Sequence, residues 1–281
     1  FFDSLRKTRK GVVVCVFDTP DRIQHMCWRP SGNQNSGGAQ HPELPEAIEV
    51  LYRRMDQLVG KVCTHLGERD VLFILSDHGI KPFRRCVNLN TWLCRNGYLA
   101  LKEGEAGDGQ FFSRVDWAKT RAYGVGLAGL YINQKGREAQ GTVTEGPEKE
   151  ALTRELVARL SGLKDEETGE CAILSVYDPK DIYSGPYCEN GPDLVIGCND
   201  GYRISWESVT GAQSAHVFED NHRNWKADHC VDTRLVPGVL FCSHPVESSA
   251  PEIIDLAPTL LHLFGVEPPR HREMVGNELE R

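Results

Sequence analysis

The chain has 281 residues, 40% hydrophobic and 26% charged, enough for a sizeable core, which excludes disordered, collagen-like and disulfide-miniprotein readings. Its 32 Lys and Arg stand against 40 Asp and Glu, a formal charge of −8 that argues against a protein tracking a nucleic-acid phosphate backbone. No apolar run reaches the roughly 18 residues that cross a bilayer, and no secretory leader is legible at the start.

The chain opens on Phe1-Phe2 without a Met, which raises the expectation that it is part of something longer. Residues 11–17 (GVVVCVF) read as a strand buried on both faces. From Leu44 onward, Ala47, Ile48, Leu51, Tyr52, Met55, Leu58, Val59 and Val62 form one apolar stripe at helical spacing, entered through Pro42 and Pro45. A second buried strand is expected over residues 70–75 (DVLFIL).

Between residues 81 and 225 the pattern loosens into Gly-rich turns and short strand-like pieces. This part still contains a helix from Glu148 to Leu160, stopping near Gly162, and a strand over 193–197 (DLVIG). The chain then returns to a strand over 236–242 (VPGVLFC) and a helix from Glu252 to Phe264, ended by Gly265 and the Pro268-Pro269 pair. The alternation predicts an α/β protein, a three-layer α/β/α sandwich around a mostly parallel sheet. Residues 1–80 and 226–281 are read as the α/β metal-binding core. Residues 81–225 are read as an insertion or cap with additional core strands.

The ten cysteines are scattered singly with no C-x-x-C pair. An all-disulfide framework is compatible with the even count. Several thiols nevertheless sit in apolar runs, Cys15 and Cys242 among them, and buried free thiols in a reducing cytoplasm are the expectation.

Ligands of open α/β sheets gather where strands end. After GVVVCVF comes DTPDRIQH, where Pro20 suits a first helical turn and Asp21 and His25 are four residues apart. On a helix that spacing puts a carboxylate and an imidazole on one face, able to grip one cation. After DVLFIL comes SDHG, with Asp77 and His78 at the strand end, and His229 lies in ADHC ahead of the last strand. Each has a bland reading: a chance helical pair, a turn-capping Asp, one histidine among ten. Their conjunction at strand boundaries favours metal. Asp21, His25 and His229 make a three-ligand set with room for a substrate oxygen, whereas Asp77 and His78 alone are too few for a tight second site.

DTPDRIQH, SDHG and ADHC, in that order, resemble the metal-site motifs of the alkaline phosphatase superfamily, and within it the type I phosphodiesterase/nucleotide pyrophosphatase group. NLNTWLCRNGYLAL, GPDLVIGCNDGYRISW and EIIDLAPTLLHLFGV extend the likeness over residues 11–268. The resemblance implies two divalent ions, Zn²⁺ or alternatively Mn²⁺ or Mg²⁺, one on Asp21, His25 and His229 and the other on Asp77 and His78. It implies phosphoryl transfer through a Thr or Ser nucleophile that has no counterpart here and is expected upstream of Phe1. Ser76, Thr19 and Ser36 are poor substitutes. A chain without that hydroxyl is expected to be inactive by itself. The family usually has a glycine shortly before the last histidine, where this chain has Ala227, so His216 and His222 remain alternatives to His229. The implied substrate is a small phosphate ester or nucleotide-like diester, with no nucleic-acid polymer. A monoesterase, phosphonate hydrolase, sulfatase or phosphomutase of the same superfamily is the alternative, and an inert metal-binding or structural piece is the rival of another class.

Overall fold

The computed structural model describes residues 1–28, 46–104, 109–267, 276 and 279. The chain divides into two units, residues 1–79 with 237–281, and residues 80–236. In chain order the elements are α1 (Phe2–Lys7), α2 (Thr19–Cys27), α3 (Ala47–Cys63), β1 (Phe73–Leu75), β2 (Lys81–Val87), α4 (Leu89–Arg95), β3 (Ala122–Val125), β4 (Gly129–Ile132) and α5 (Pro147–Leu160). There follow β5 (Ile173–Tyr177), α6 (Pro179–Ile182), β6 (Leu194–Cys198), β7 (Gly201–Ile204), α7 (Trp206–Val209), β8 (Phe218–Asp220), β9 (Ala227–Asp228), β10 (Leu240–Cys242) and α8 (Leu256–Leu263).

The 80–236 unit holds two four-stranded sheets, β7-β2-β8 with β9 also on β2, and β3-β4-β6-β5. The β3–β4 hairpin turns through Gly126, whose φ of 72° a side chain would resist. Asn90 on α4 receives the Gly124 N–H and donates to the Gly124 carbonyl, so the helix is tied to β3 by a buried amide pair. Helix α5 starts on Pro147 and buries Leu152, Leu156 and Leu160, one face at four-residue spacing. These leucines join Leu89, Leu93, Leu130, Ile132, Ile173 and Leu194 in a continuous core.

In the other unit β1 pairs antiparallel with β10, Phe73 to Leu75 against Cys242 to Leu240. Helix α3 confirms the long apolar stripe from Ala47, and the turn at Ile253–Asp255 followed by α8 matches the last expected helix. Pro42, Leu44, Pro45, Pro268 and Pro269 lie outside the described residues.

Two expectations need correction. Residues 12–18 form no strand, and Val12, Val14 and Val16 are 50, 76 and 86% exposed. A doubly buried strand needs a hydrogen-bonded neighbour, and among the described residues this segment has none. Strand direction also differs from a mostly parallel sheet. Mixed α/β structure is present, yet among the described strands only β2 and β7 pair in parallel. Parallel neighbours require a long crossover, which residues 88–200 supply here, whereas β3 and β4 are joined by a tight turn that permits only the antiparallel arrangement.

None of the ten cysteines is in a disulfide. Burial pushes the Cys198 thiol up to about 12 and the Cys86 thiol up to about 11, so both stay protonated and act as small apolar groups. Cys15 lies on the exposed segment and is itself exposed, against the buried position expected. No described helix is long and apolar enough to cross a membrane.

Candidate metal centre

Pro20 falls in the first turn of α2, and the helix carries Asp21 and His25 on one face as their spacing predicts. His25 is buried, 1% exposed, and its Nε2 lies 3.1 Å from Asp21 Oδ1. The two atoms approach without the alignment of a hydrogen bond, and Asp21 Oδ1 is buried with no hydrogen-bond donor among the described residues. A buried carboxylate oxygen left unsatisfied is costly. An imidazole nitrogen facing it supplies the second half of a cation's donor set. Arg22, one residue on, is turned to the exposed Asp18 at 2.8 Å.

Asp77 and His78 follow β1 directly. Ser76 N donates to the Val239 carbonyl, and Val239 N donates to Ser76 Oγ, both at 3.0 Å. Gly238 makes this approach possible, since a Cβ there would stand 2.5 Å from the Ser76 carbonyl oxygen. The Ser76 hydroxyl is therefore engaged in holding the strand end. His78 Nδ1 lies 2.9 Å from the Gly79 carbonyl. A carbonyl only accepts, so this contact places a proton on Nδ1, while Nε2 lies 3.6 Å from Asp77 Oδ1. Within this unit, among the described residues, no third His, Cys, Asp or Glu stands at ligand spacing to either pair.

His229 belongs to the 80–236 unit, just past β9, and is half-buried. Asp228, His229 and Cys230 place a carboxylate, an imidazole and a thiol within 4.8 Å of one another. The Asp228 carboxylate is already committed. Its Oδ1 accepts from the backbone N–H groups of His229 (2.8 Å) and Cys230 (2.9 Å), and its Oδ2 from Trp225 Nε1 (2.7 Å) and Arg203 Nη1. Burial would raise its pKa, but the Arg203 charge and these hydrogen bonds prevail and hold it down at about 2. Arg203 is itself fully buried, with its guanidinium 4.5 Å from the Phe83 ring centroid and 4.0 Å from that of Trp206. Sequence reading singled out His229 and passed over Asp228 and Arg203. The acid beside the histidine in ADHC was the available signal; its arginine partner is 25 residues away in the chain. The alternatives His216 and His222 are both exposed.

The donors on Asp21, His25, Asp77 and His78 are carboxylate oxygens and imidazole nitrogens, the set that suits a divalent transition ion. The unsatisfied Asp21 Oδ1 makes the first pair a fit for such an ion.

A family model described as "Type I phosphodiesterase / nucleotide pyrophosphatase" matches residues 1–222. No curated protein matches the chain. Among solved structures it is similar to human ectonucleotide pyrophosphatase / phosphodiesterase 5, at 14% identity and a TM-score of 0.38 over 90% of this chain. The chain spans about half, 54%, of that protein's length.

Proposed function

The chain belongs to the type I phosphodiesterase / nucleotide pyrophosphatase family, and on that premise we propose that it carries the metal ligands of a phosphate-ester hydrolase. Asp21, His25 and His229 serve one divalent ion, and Asp77 and His78 contribute to a second. The substrate class is a small nucleotide-like phosphodiester. Residues 1–80 and 226–281 are assigned as the metal-binding core, and residues 81–225 as an insertion or cap region with additional core strands. The observation that carries the reading is the buried Asp21 Oδ1, without a hydrogen-bond donor among the described residues and 3.1 Å from the imidazole nitrogen of a buried histidine.

When bound, divalent ions would supply positive charge that neutralises phosphate oxygens and favours displacement at phosphorus. The chain's own residues prepare for that charge. Asp21 contributes a negative donor from a helical face, and His25, held by burial, offers nitrogen beside it. The Gly79 carbonyl holds a proton on His78 Nδ1, so that Nε2 is the nitrogen left for a metal. The Ser76 hydroxyl accepts the Val239 N–H and helps hold the strand end, which makes it a poor nucleophile. With no other hydroxyl assigned that role among the described residues, the chain by itself is expected to hold metal and not turn over.

Metal content after purification tests the reading, with Zn²⁺, Mn²⁺ and Mg²⁺ offered singly. Wild-type chain is expected to retain Zn²⁺, and Asp21→Ala or His25→Ala to weaken binding by about 10-fold or more at unchanged fold. No retained metal, or retention indifferent to both substitutions, overturns it. For an enzyme that combines this chain with a nucleophile, faster hydrolysis of bis-p-nitrophenyl phosphate than of p-nitrophenyl phosphate or sulfate supports the diester assignment, and the reverse order favours a monoesterase or sulfatase.

A further inference from the structure

We infer that Asp228 is not a ligand but the positioning residue for His229, transmitting the rigidity of a buried arginine to the turn that presents the imidazole. The inference rests on the proposed metal role of His229. A carboxylate has about four acceptor sites, and all four here are occupied: two by the backbone amides of residues 229 and 230, two by Trp225 Nε1 and Arg203 Nη1. Asp228 thus has no lone pair to give a cation, although it lies beside an imidazole and a thiol.

The other end of the linkage is immobile. Arg203 sits on β7, fully buried, held by the Phe83 and Trp206 rings, with its Nε donating to the Ile204 carbonyl at 3.0 Å. Strand β7 runs beside β2, and β2 also pairs with β9, Lys81 opposite Asp228 and Pro82 opposite Ala227. The backbone of residue 228 is therefore fixed by the sheet, and its side chain by the arginine. The two amides that follow are fixed by the same carboxylate. A histidine one residue past a strand would otherwise depend on loop geometry; here its N–H is anchored to a buried charge. Support of this kind is worth about 10–100-fold in metal affinity at characterised sites.

The test is Zn²⁺ affinity of the full chain by competition with a chromophoric chelator, alongside urea unfolding of the metal-free protein. Asp228→Asn keeps the shape but turns one acceptor oxygen into a donor facing other donors. It is expected to weaken Zn²⁺ binding by about 10-fold or more, while His229→Ala weakens it at least as much. Leu156→Ala destabilises the same unit far from the turn and is the control for general loosening. It is expected to leave affinity unchanged. Unchanged affinity in Asp228→Asn beside a weakened His229→Ala overturns the positioning role, as does an equal loss in Leu156→Ala. No effect of His229→Ala overturns the metal reading itself. Should Asp228→Asn fail to fold, Trp225→Phe decides, since it removes one donor to the same carboxylate: weaker Zn²⁺ binding supports the inference and unchanged binding overturns it.

Discussion

In the 80–236 unit Leu130, Ile132, Leu152, Leu156, Leu160, Ile173 and Leu194 are all fully buried, whereas Val14 and Val16 in the other unit, within an equally apolar run, are 76 and 86% exposed. Composition does not separate the two cases. Partnership does: β3, β4, β5 and β6 satisfy one another's backbone groups and cover one another's side chains, and residues 12–18 pair with no described strand. An apolar, β-branched run is thus not sufficient for a buried strand. The same contrast runs through the candidate ligands. His229 follows a strand whose neighbours are locked by Arg203 and Asp228, while Asp77 and His78 follow a three-residue strand paired on one side among the described residues.

The contrast can be broken most forcefully in the dense unit. Leu156→Ala removes a fully buried side chain and is expected to cost about 2–5 kcal/mol, read from urea unfolding by tryptophan fluorescence. Four of the five tryptophans, Trp92, Trp117, Trp206 and Trp225, report on this unit. A cost below about 0.5 kcal/mol, the range of ordinary surface changes, would mean that the core is not the continuous one described.

A smaller effect is expected from acid. Burial would raise the Asp193 carboxyl, but Arg137 at 2.6 Å, Lys149 at 2.7 Å and the Ile132 N–H hold it below its ordinary 3.8. A depressed folded pKa contributes stability that is complete above the ordinary value and is lost as pH falls through the folded one. The unit should therefore weaken below about pH 3.8, and Asp193→Asn should flatten that acid limb. An acid limb of the same depth in wild type and variant would contradict the assignment.

The smallest effect belongs to the exposed run. Val14→Thr is expected to change stability by less than about 0.5 kcal/mol, read from urea unfolding by far-UV circular dichroism, which reports on both units. A loss near that of Leu156→Ala would show the segment to be buried in solution and remove the difference between the units.

How much was legible follows the range of the forces involved. Helix α5 was read to within a residue, from Pro147 at its start to Leu160 at its end, because its apolar spacing and terminal residues act locally. The Asp21/His25 pair was equally legible, since a helix fixes the relation of residues four apart. The segment 11–17 was misread because strand formation depends on partners elsewhere in the chain.

The sequence by itself determined helices α2, α3, α5 and α8, the family likeness and the residue types fit for a divalent ion, all of which rest on local spacing and chemistry. Only the tertiary structure decided which apolar runs become strands, in which direction they pair, and that the acid in ADHC serves a buried arginine and two backbone amides. Those outcomes depend on contacts between residues far apart in the chain, where backbone groups and buried charges must find partners that no local pattern names.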